Sequence, residues 1–191
     1  MRKAVMLSIR PKWVEKIASG EKTIEVRKTK PKLETPFKCY IYCTLPKYPH
    51  EDFIATDYPM PQFYGGGKVV GEFTCDQIID AWWDYVPDAI TREVTGGNLE
   101  ALDGIGMTDE ELFSYVGDSM RGHCYGWHIS DLLIYDEPRE LTAFRRACKN
   151  SWYCESCAMY WENNGTCGNE SLQIRRPPQS WCYVEAMKDA K

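Results

Sequence analysis

The sequence of 191 residues is 43% hydrophobic and 27% charged, with a formal net charge of -5 and a mean hydropathy of -0.48. That is the profile of a globular domain with a sizeable core, and it excludes a disordered chain. No apolar run approaches the ~20 residues that cross a bilayer, and Ala4–Leu7 is too short an apolar segment for a signal peptide. Nine cysteines without an export signal point to a reducing, cytoplasmic setting, with thiols free or on metal.

The charge is unevenly placed. Residues 1–38 hold eleven Lys/Arg and four Glu, a net of +7, whereas the remainder holds 12 basic and 24 acidic residues, a net of -12. This asymmetry marks either a basic binding patch on an acidic body or a basic segment that docks on acidic parts of the same molecule. The sequence leaves both open.

In chain order, Ala4–Leu7 is a short apolar run expected to be a buried first strand. Pro11 suits the first turn of a helix, because its missing N–H would be unpaired there anyway. Trp13, Val14, Ile17 and Ala18 follow as an apolar stripe on one helix face, and Gly20 sits where a left-handed residue ends that helix. Thr23–Arg27 then alternates, with Ile24 and Val26 on one face and Thr23, Glu25 and Arg27 on the other. This pattern predicts Lys22 at a corner, with Glu25 and Arg27 beside it on the face that the core does not take. Such a polar cluster on rigid supports suits a ligand site, and it equally suits an ordinary exposed ion pair.

Lys28–Pro36 is a Pro-bounded basic loop whose Lys28, Lys30 and Lys32 either touch phosphate or keep the loop solvated. Phe37–Thr44 is apolar or aromatic on both faces, the mark of a central strand. Leu45–Tyr64 combines four prolines with aromatics, so it reads as a folded-back loop able to cover a cleft or pack over the body. After the Gly65-Gly66-Gly67 turn come strands at Lys68–Phe73 and Ile78–Val86. Pro87–Gly106 reads as loop with one short helix. Thr108-Asp-Glu-Glu111 is a capping box that opens a helix closed by Gly117. Asp118–Gly126 returns to the sheet, and Trp127–Ile129 and Leu132–Tyr135 read as strand segments separated by the Ser130-Asp131 break. His128, on the first of these, is either a hydrogen-bonded core histidine or a weak catalytic candidate. Glu137–Arg146 reads as a helical turn, and Trp181–Val184 as a closing strand after a Pro-stiffened return.

The run from Ser8 to Arg27, ending in G-x-K-x-x-E-x-R, resembles the opening signature of the ASCH domain family, a branch of the PUA-like β-barrel folds. Tyr40–Thr44, Lys68–Phe73 and Tyr125–Leu132 resemble later parts of that domain, so the resemblance spans most of residues 4–144. It implies an α+β fold: a PUA-like mixed or antiparallel β-barrel with flanking helices, built from residues 1–144 plus 175–187. Residues 145–174 would be a cysteine-rich insertion.

Within that insertion stand Cys148-x5-Cys154-x2-Cys157-x9-Cys167. A C-x-x-C pair places two thiolates on one edge of a tetrahedral zinc site, and two more complete a closed, structural Zn2+ centre. The short loop has few aliphatic residues and needs such a staple. Cys182 is the substitute for Cys148 or Cys167 if the final strand passes close by. Free thiols are the plain alternative.

Three functions follow. The resemblance implies recognition of RNA or a modified nucleotide in a cleft lined by the motif, with Lys22 and Arg27 on phosphate and Glu25 on a base amino group. Arg10 would add to that lining, and Tyr40 or Tyr64 would stack. Other ASCH proteins resemble amidohydrolases of acylated cytidine or ribonucleases, which would give Lys22, Glu25 and His128 acid–base roles. In the amidohydrolase pattern Glu25 stands where a threonine is expected, and Asp103 is the carboxylate nearest the third position. The last reading is a protein-interaction adaptor that uses Tyr153, Tyr160 and Trp161 of the zinc loop.

Overall fold

The computed structural model describes residues 3–45, 66–85, 94–117, 121–148, 156–163 and 167–187. The elements are β1 (Lys3–Ile9), α1 (Pro11–Ala18), β2 (Ile24–Arg27), β3 (Phe37–Cys43), β4 (Val69–Cys75), β5 (Ile78–Tyr85) and β6 (Val94–Gly97). They continue with α2 (Asp109–Val116), β7 (Arg121–His128), β8 (Ser130–Arg139), α3 (Ala158–Glu162) and β9 (Trp181–Glu185). Two sheets result, with orders β8-β4-β3-β1-β9 and β2-β7-β5-β6. β1 and β3 run parallel, and the other pairs are antiparallel. The fold is therefore mixed α+β, as expected.

Closure into a barrel does not occur among the described residues. Barrel closure needs one continuous hydrogen-bonded register. Here the chain leaves the second sheet for the first at Ile129, between β7 and β8, and Asp131 takes a φ of 48° just beyond. Asp tolerates this left-handed conformation better than most residues. β9, expected to close a barrel, instead pairs with β1 as the edge of the first sheet.

Other differences are local. β6 occupies part of the stretch expected to be loop with one short helix, and a 3-10 turn at Leu99–Leu102 follows it; a Gly-rich strand such as Val-Thr-Gly-Gly has too little side chain to show a period. β7 is one strand of eight residues and carries both His123 and His128. β8 runs through Pro138 to Arg139 before a 3-10 turn at Leu141–Ala143, where a helical turn was expected. Pro is admissible there because β8 is an edge strand. The capping box forms as expected, with Glu111 N–H donating to Thr108 Oγ1 and Thr108 N–H to the Glu111 carboxylate.

Three apolar clusters hold the molecule. Val5, Leu7 and Ile9 of β1 meet Cys39, Ile41 and Cys43 of β3, Val14 and Ile17 of α1, and Trp127 of β7 between the sheets. Ala4, Met6, Tyr40 and Tyr42 fill the other face of the first sheet with Tyr135 and Phe144. Ile24, Val26, Ala81, Trp83 and Cys124 pack the second sheet against Leu112 and Phe113 of α2. Phe144–Arg146 meets the returning chain at Leu172–Ile174: Ile174 N–H donates to the Phe144 carbonyl and Arg146 N–H to that of Leu172. No described helix is long and apolar enough to cross a membrane.

Candidate functional site

α1 stops as its sequence directs. Ser19 N–H bonds back to the Glu15 carbonyl and Gly20 takes a φ of 80°, which a residue with a Cβ adopts only at a cost. The turn brings Lys22 N–H onto the Lys16 carbonyl, while Thr23 and Ile24 N–H both reach the Gly104 carbonyl. β2 then pairs with β7, setting Glu25 opposite Trp127 and Arg27 opposite Tyr125.

The three charged groups meet. Lys22 Nζ lies 3.5 Å from one Glu25 carboxylate oxygen, and Arg27 Nη2 lies 2.9 Å from the other. Lys22 also donates to the Ile105 carbonyl at 2.6 Å and stands 5.5 Å from the centre of the Trp13 ring. Arg27 donates to the Ser8 carbonyl at 2.9 Å and to the Ser180 carbonyl and hydroxyl at 3.3 Å. The cluster thus ties α1, β1, β2, the 103–106 loop and the start of β9 together.

Its setting differs from the expectation. Glu25 and Arg27 were placed on a solvent face, yet they are 6% exposed, and Lys22 is 2% exposed. The alternation was read correctly, but the polar face of β2 meets the first sheet and not water. Burial lowers the Lys22 pKa from its ordinary 10.5, against the attraction of Glu25, because desolvation penalises the ammonium. Two donors in this layer, Arg27 Nε and Trp127 Nε1, are buried with no hydrogen-bond partner among the described residues. Groups so placed are rare in a folded protein and call for an acceptor.

The remaining candidates are dispersed. Arg10 is exposed at the N-cap of α1. Tyr40, expected to stack on the ligand, faces the opposite cluster instead, edge-on to Phe144, and its hydroxyl accepts from Met187 N–H at 2.7 Å. The even-numbered residues of β3 point away from the layer that holds Lys22, so it cannot stack on a ligand there. Tyr64, the loop expected to cover the cleft, Tyr153 and Cys154 lie outside the described residues. His128 Nδ1 is 2.7 Å from Asp76 at the surface, in neither the core nor the buried cluster. In the 103–106 loop the group that accepts from Lys22 Nζ is the Ile105 carbonyl, not a carboxylate, and Asp103 is exposed.

Among the described residues Cys148, Cys157, Cys167 and Cys182 form no disulfide, and no three His, Cys, Asp or Glu are grouped to hold a metal. The basic first segment is substantially paired within the molecule. Lys12 bonds Glu111, Lys16 bonds Glu21, Lys38 lies 2.8 Å from Glu72 and Lys30 lies 3.6 Å from Asp80.

Sequence reasoning passed over a second constellation. Asp80, Trp82, Arg121 and His123 line a surface hollow of about 360 Å³. Its residues sit on the period-2 face of β5 and β7, so alternation in Ile78–Tyr85 was the available signal.

No family model matches the chain, and no curated protein matches it. Among solved structures it is similar to ASCH from Zymomonas mobilis, at 15% identity and a TM-score of 0.47, over 95% of this chain and 87% of that one. Two single-residue mutants of that protein give the same identity and TM-score, over 96% of this chain and 91% and 89% of theirs. All three of these structures are of ASCH from Zymomonas mobilis or its mutants.

Proposed function

We propose that the protein binds RNA or a modified nucleotide through the layer between its two sheets, with Lys22, Glu25 and Arg27 as the recognition groups. The observation that carries this reading is the buried charge cluster with two unpartnered donors beside it. A buried ion pair adds little net stability over an apolar replacement. A lysine, a glutamate and an arginine concentrated there are better explained by a ligand than by folding. Arg27 Nε and Trp127 Nε1 are donors suited to phosphate or base carbonyl oxygens, and Glu25 is an acceptor suited to a base amino group. Arg10, at the rim of α1, would meet the ligand's phosphate.

Lys22→Met keeps the stem of the side chain and removes the charge, so it tests binding with the core filled. Expected is a loss of affinity of about 10-fold or more for single-stranded RNA or nucleotide ligands, the scale of one charged hydrogen bond. Filter binding or calorimetry reads it, and unchanged affinity would remove the reading. The lowered Lys22 pKa also suits acid–base chemistry. A hydrolase acting on RNA or an acylated nucleoside is therefore the second reading, separated by mass analysis of the ligand after incubation.

The zinc loop stays with this proposal: Cys148, Cys154, Cys157 and Cys167 hold a structural Zn2+, with Cys182 as substitute. Elemental analysis should give one zinc per chain, lost in Cys157→Ser. Zinc-free protein with four titratable thiols in that segment would overturn it.

A further inference from the structure

The face of the second sheet that buries Glu25 and Trp127 does not end with them. Cross-strand pairing continues it row by row: Arg27, Tyr125 and Asp80, then His123 beside Trp82, then Arg121 beside Asp84. Successive rows on one face lie about 6.6 Å apart. The first rows are covered by the first sheet, and the last two open to solvent, where Trp82 is 43% exposed. The neighbouring strand leaves space there: Gly96 pairs with Asp84, and a Cβ built on it would meet nothing within 4 Å. Trp82 is therefore a large ring on a strand, with room on one side and, on the other, the hollow that it lines with Asp80, Arg121 and His123.

We propose that this face is a track for single-stranded RNA leading out of the buried cluster, with an unpaired base stacked on Trp82. The inference rests on the nucleotide-binding reading and extends it to a polymer. Its chemistry is that of single-strand recognition, in which aromatic faces take bases and cations follow the backbone. Lys30 stands 4.7 Å from the centre of the Tyr125 ring, and His123 packs edge-on against Tyr125 with ring centres 4.9 Å apart. Arg121 stands beside the outermost row, exposed.

The two aspartates do not expose bare negative charge to phosphate. Asp80 accepts from His123 at 2.7 Å and lies 3.6 Å from Lys30, while Asp84 accepts from Arg121 Nε at 2.8 Å. Their remaining lone pairs suit base amino groups, which a phosphate-only groove would not need. The volume of about 360 Å³ falls at the small end of the roughly 300–1,000 Å³ of ligand sites, enough for one ring system and not for a folded partner.

The test uses the whole chain and labelled single-stranded RNA of about 12 nucleotides, within the site sizes of such modules. Trp82→Ala should weaken binding by roughly 5- to 150-fold and Trp82→Phe by much less, since stacking tolerates any aromatic. Because Trp82 is exposed, both variants should keep wild-type circular dichroism and unfolding midpoint. Arg121→Met should lower the slope of log affinity against log salt by about one. If Lys22→Met weakens RNA binding and Trp82→Ala does not, the track is wrong and the buried site stands. If Trp82→Ala weakens it and Lys22→Met does not, the track stands and the buried site falls. Wild-type protein that binds no RNA overturns both. An effect of Trp82→Ala confined to self-association overturns the track alone and assigns the face to protein contact.

Discussion

Replacing Glu25 by alanine should cost about 3–5 kcal/mol of folding stability, because it leaves two buried cations without their shared counter-charge. For a domain of this size the loss corresponds to a fall in Tm of roughly 6–20 °C. Glu25 is the one group that contacts both partners, at 3.5 Å and 2.9 Å, so its removal is felt twice. Lys22→Met should cost far less, since a methionine fills the same space and removes one of the charges to be accommodated. Urea unfolding of the two variants reads the contrast. A loss below about 1 kcal/mol for Glu25→Ala would mean that the pair behaves as a hydrated surface bridge.

The same pair has a signed pH dependence. The folded-state pKa of Lys22 is lowered from 10.5 by burial. At any pH below the folded value the lysine is charged in both states, and the cost of burying that charge is fully present. Between the folded pKa and 10.5 the unfolded chain keeps a proton that the folded protein has released, so stability rises with pH. Relative to Lys22→Met, wild-type protein should therefore gain stability as pH climbs toward 10.5. A difference between the two that is flat with pH would contradict the burial. These effects also explain why Lys22→Met is the right binding probe: Glu25→Ala confounds recognition with folding.

Trp83→Ala should cost about 3–5 kcal/mol, the usual range for emptying a large aromatic site. Trp83 is fully buried in the cluster under α2, tilted against Phe113 with ring centres 5.6 Å apart. Its ring lies across Gly122 on the adjacent strand. A Cβ there would fall 2.0 Å from Cε2 and 2.2 Å from Cζ2 of the indole, and the ring cannot retreat into a filled core. Gly122→Ala should accordingly cost about 1–3 kcal/mol by overpacking. In a Trp83→Leu background the same alanine should be nearly harmless, giving a coupling of about 1 kcal/mol or more in a double-mutant cycle. Additive losses would show that Gly122 is needed for its backbone and not for the space it leaves.

How much of this was legible follows from which signals are local. Pro11 and Gly20 bracket α1, Thr108 and Glu111 open α2, and the alternation of β2 names which residues share a face. Each depends on groups a few positions apart, whose geometry is fixed by 3.6-residue and two-residue periods. The joining of Lys22, Glu25 and Arg27 was legible for the same reason, since all three fall within six positions of one turn and one strand. Trp83 shows the limit. Alternation placed it on a face, but its partner Gly122 is 39 positions away in sequence, and a glycine leaves no pattern to read.

The sequence by itself determined α1 and α2, most strands, the mixed α+β class and the company that the motif's charges keep. Tertiary structure alone decided that the polar face of β2 lies against the first sheet, that the sheets stay open at their edges, and that Tyr40 turns away from Lys22. It also decided that basic residues near the start of the chain find acidic partners far along it. The physical reason is common to all four. A period specifies which side chains share a face, but the environment of that face is set by chain segments tens of residues distant, and no local propensity encodes their arrival.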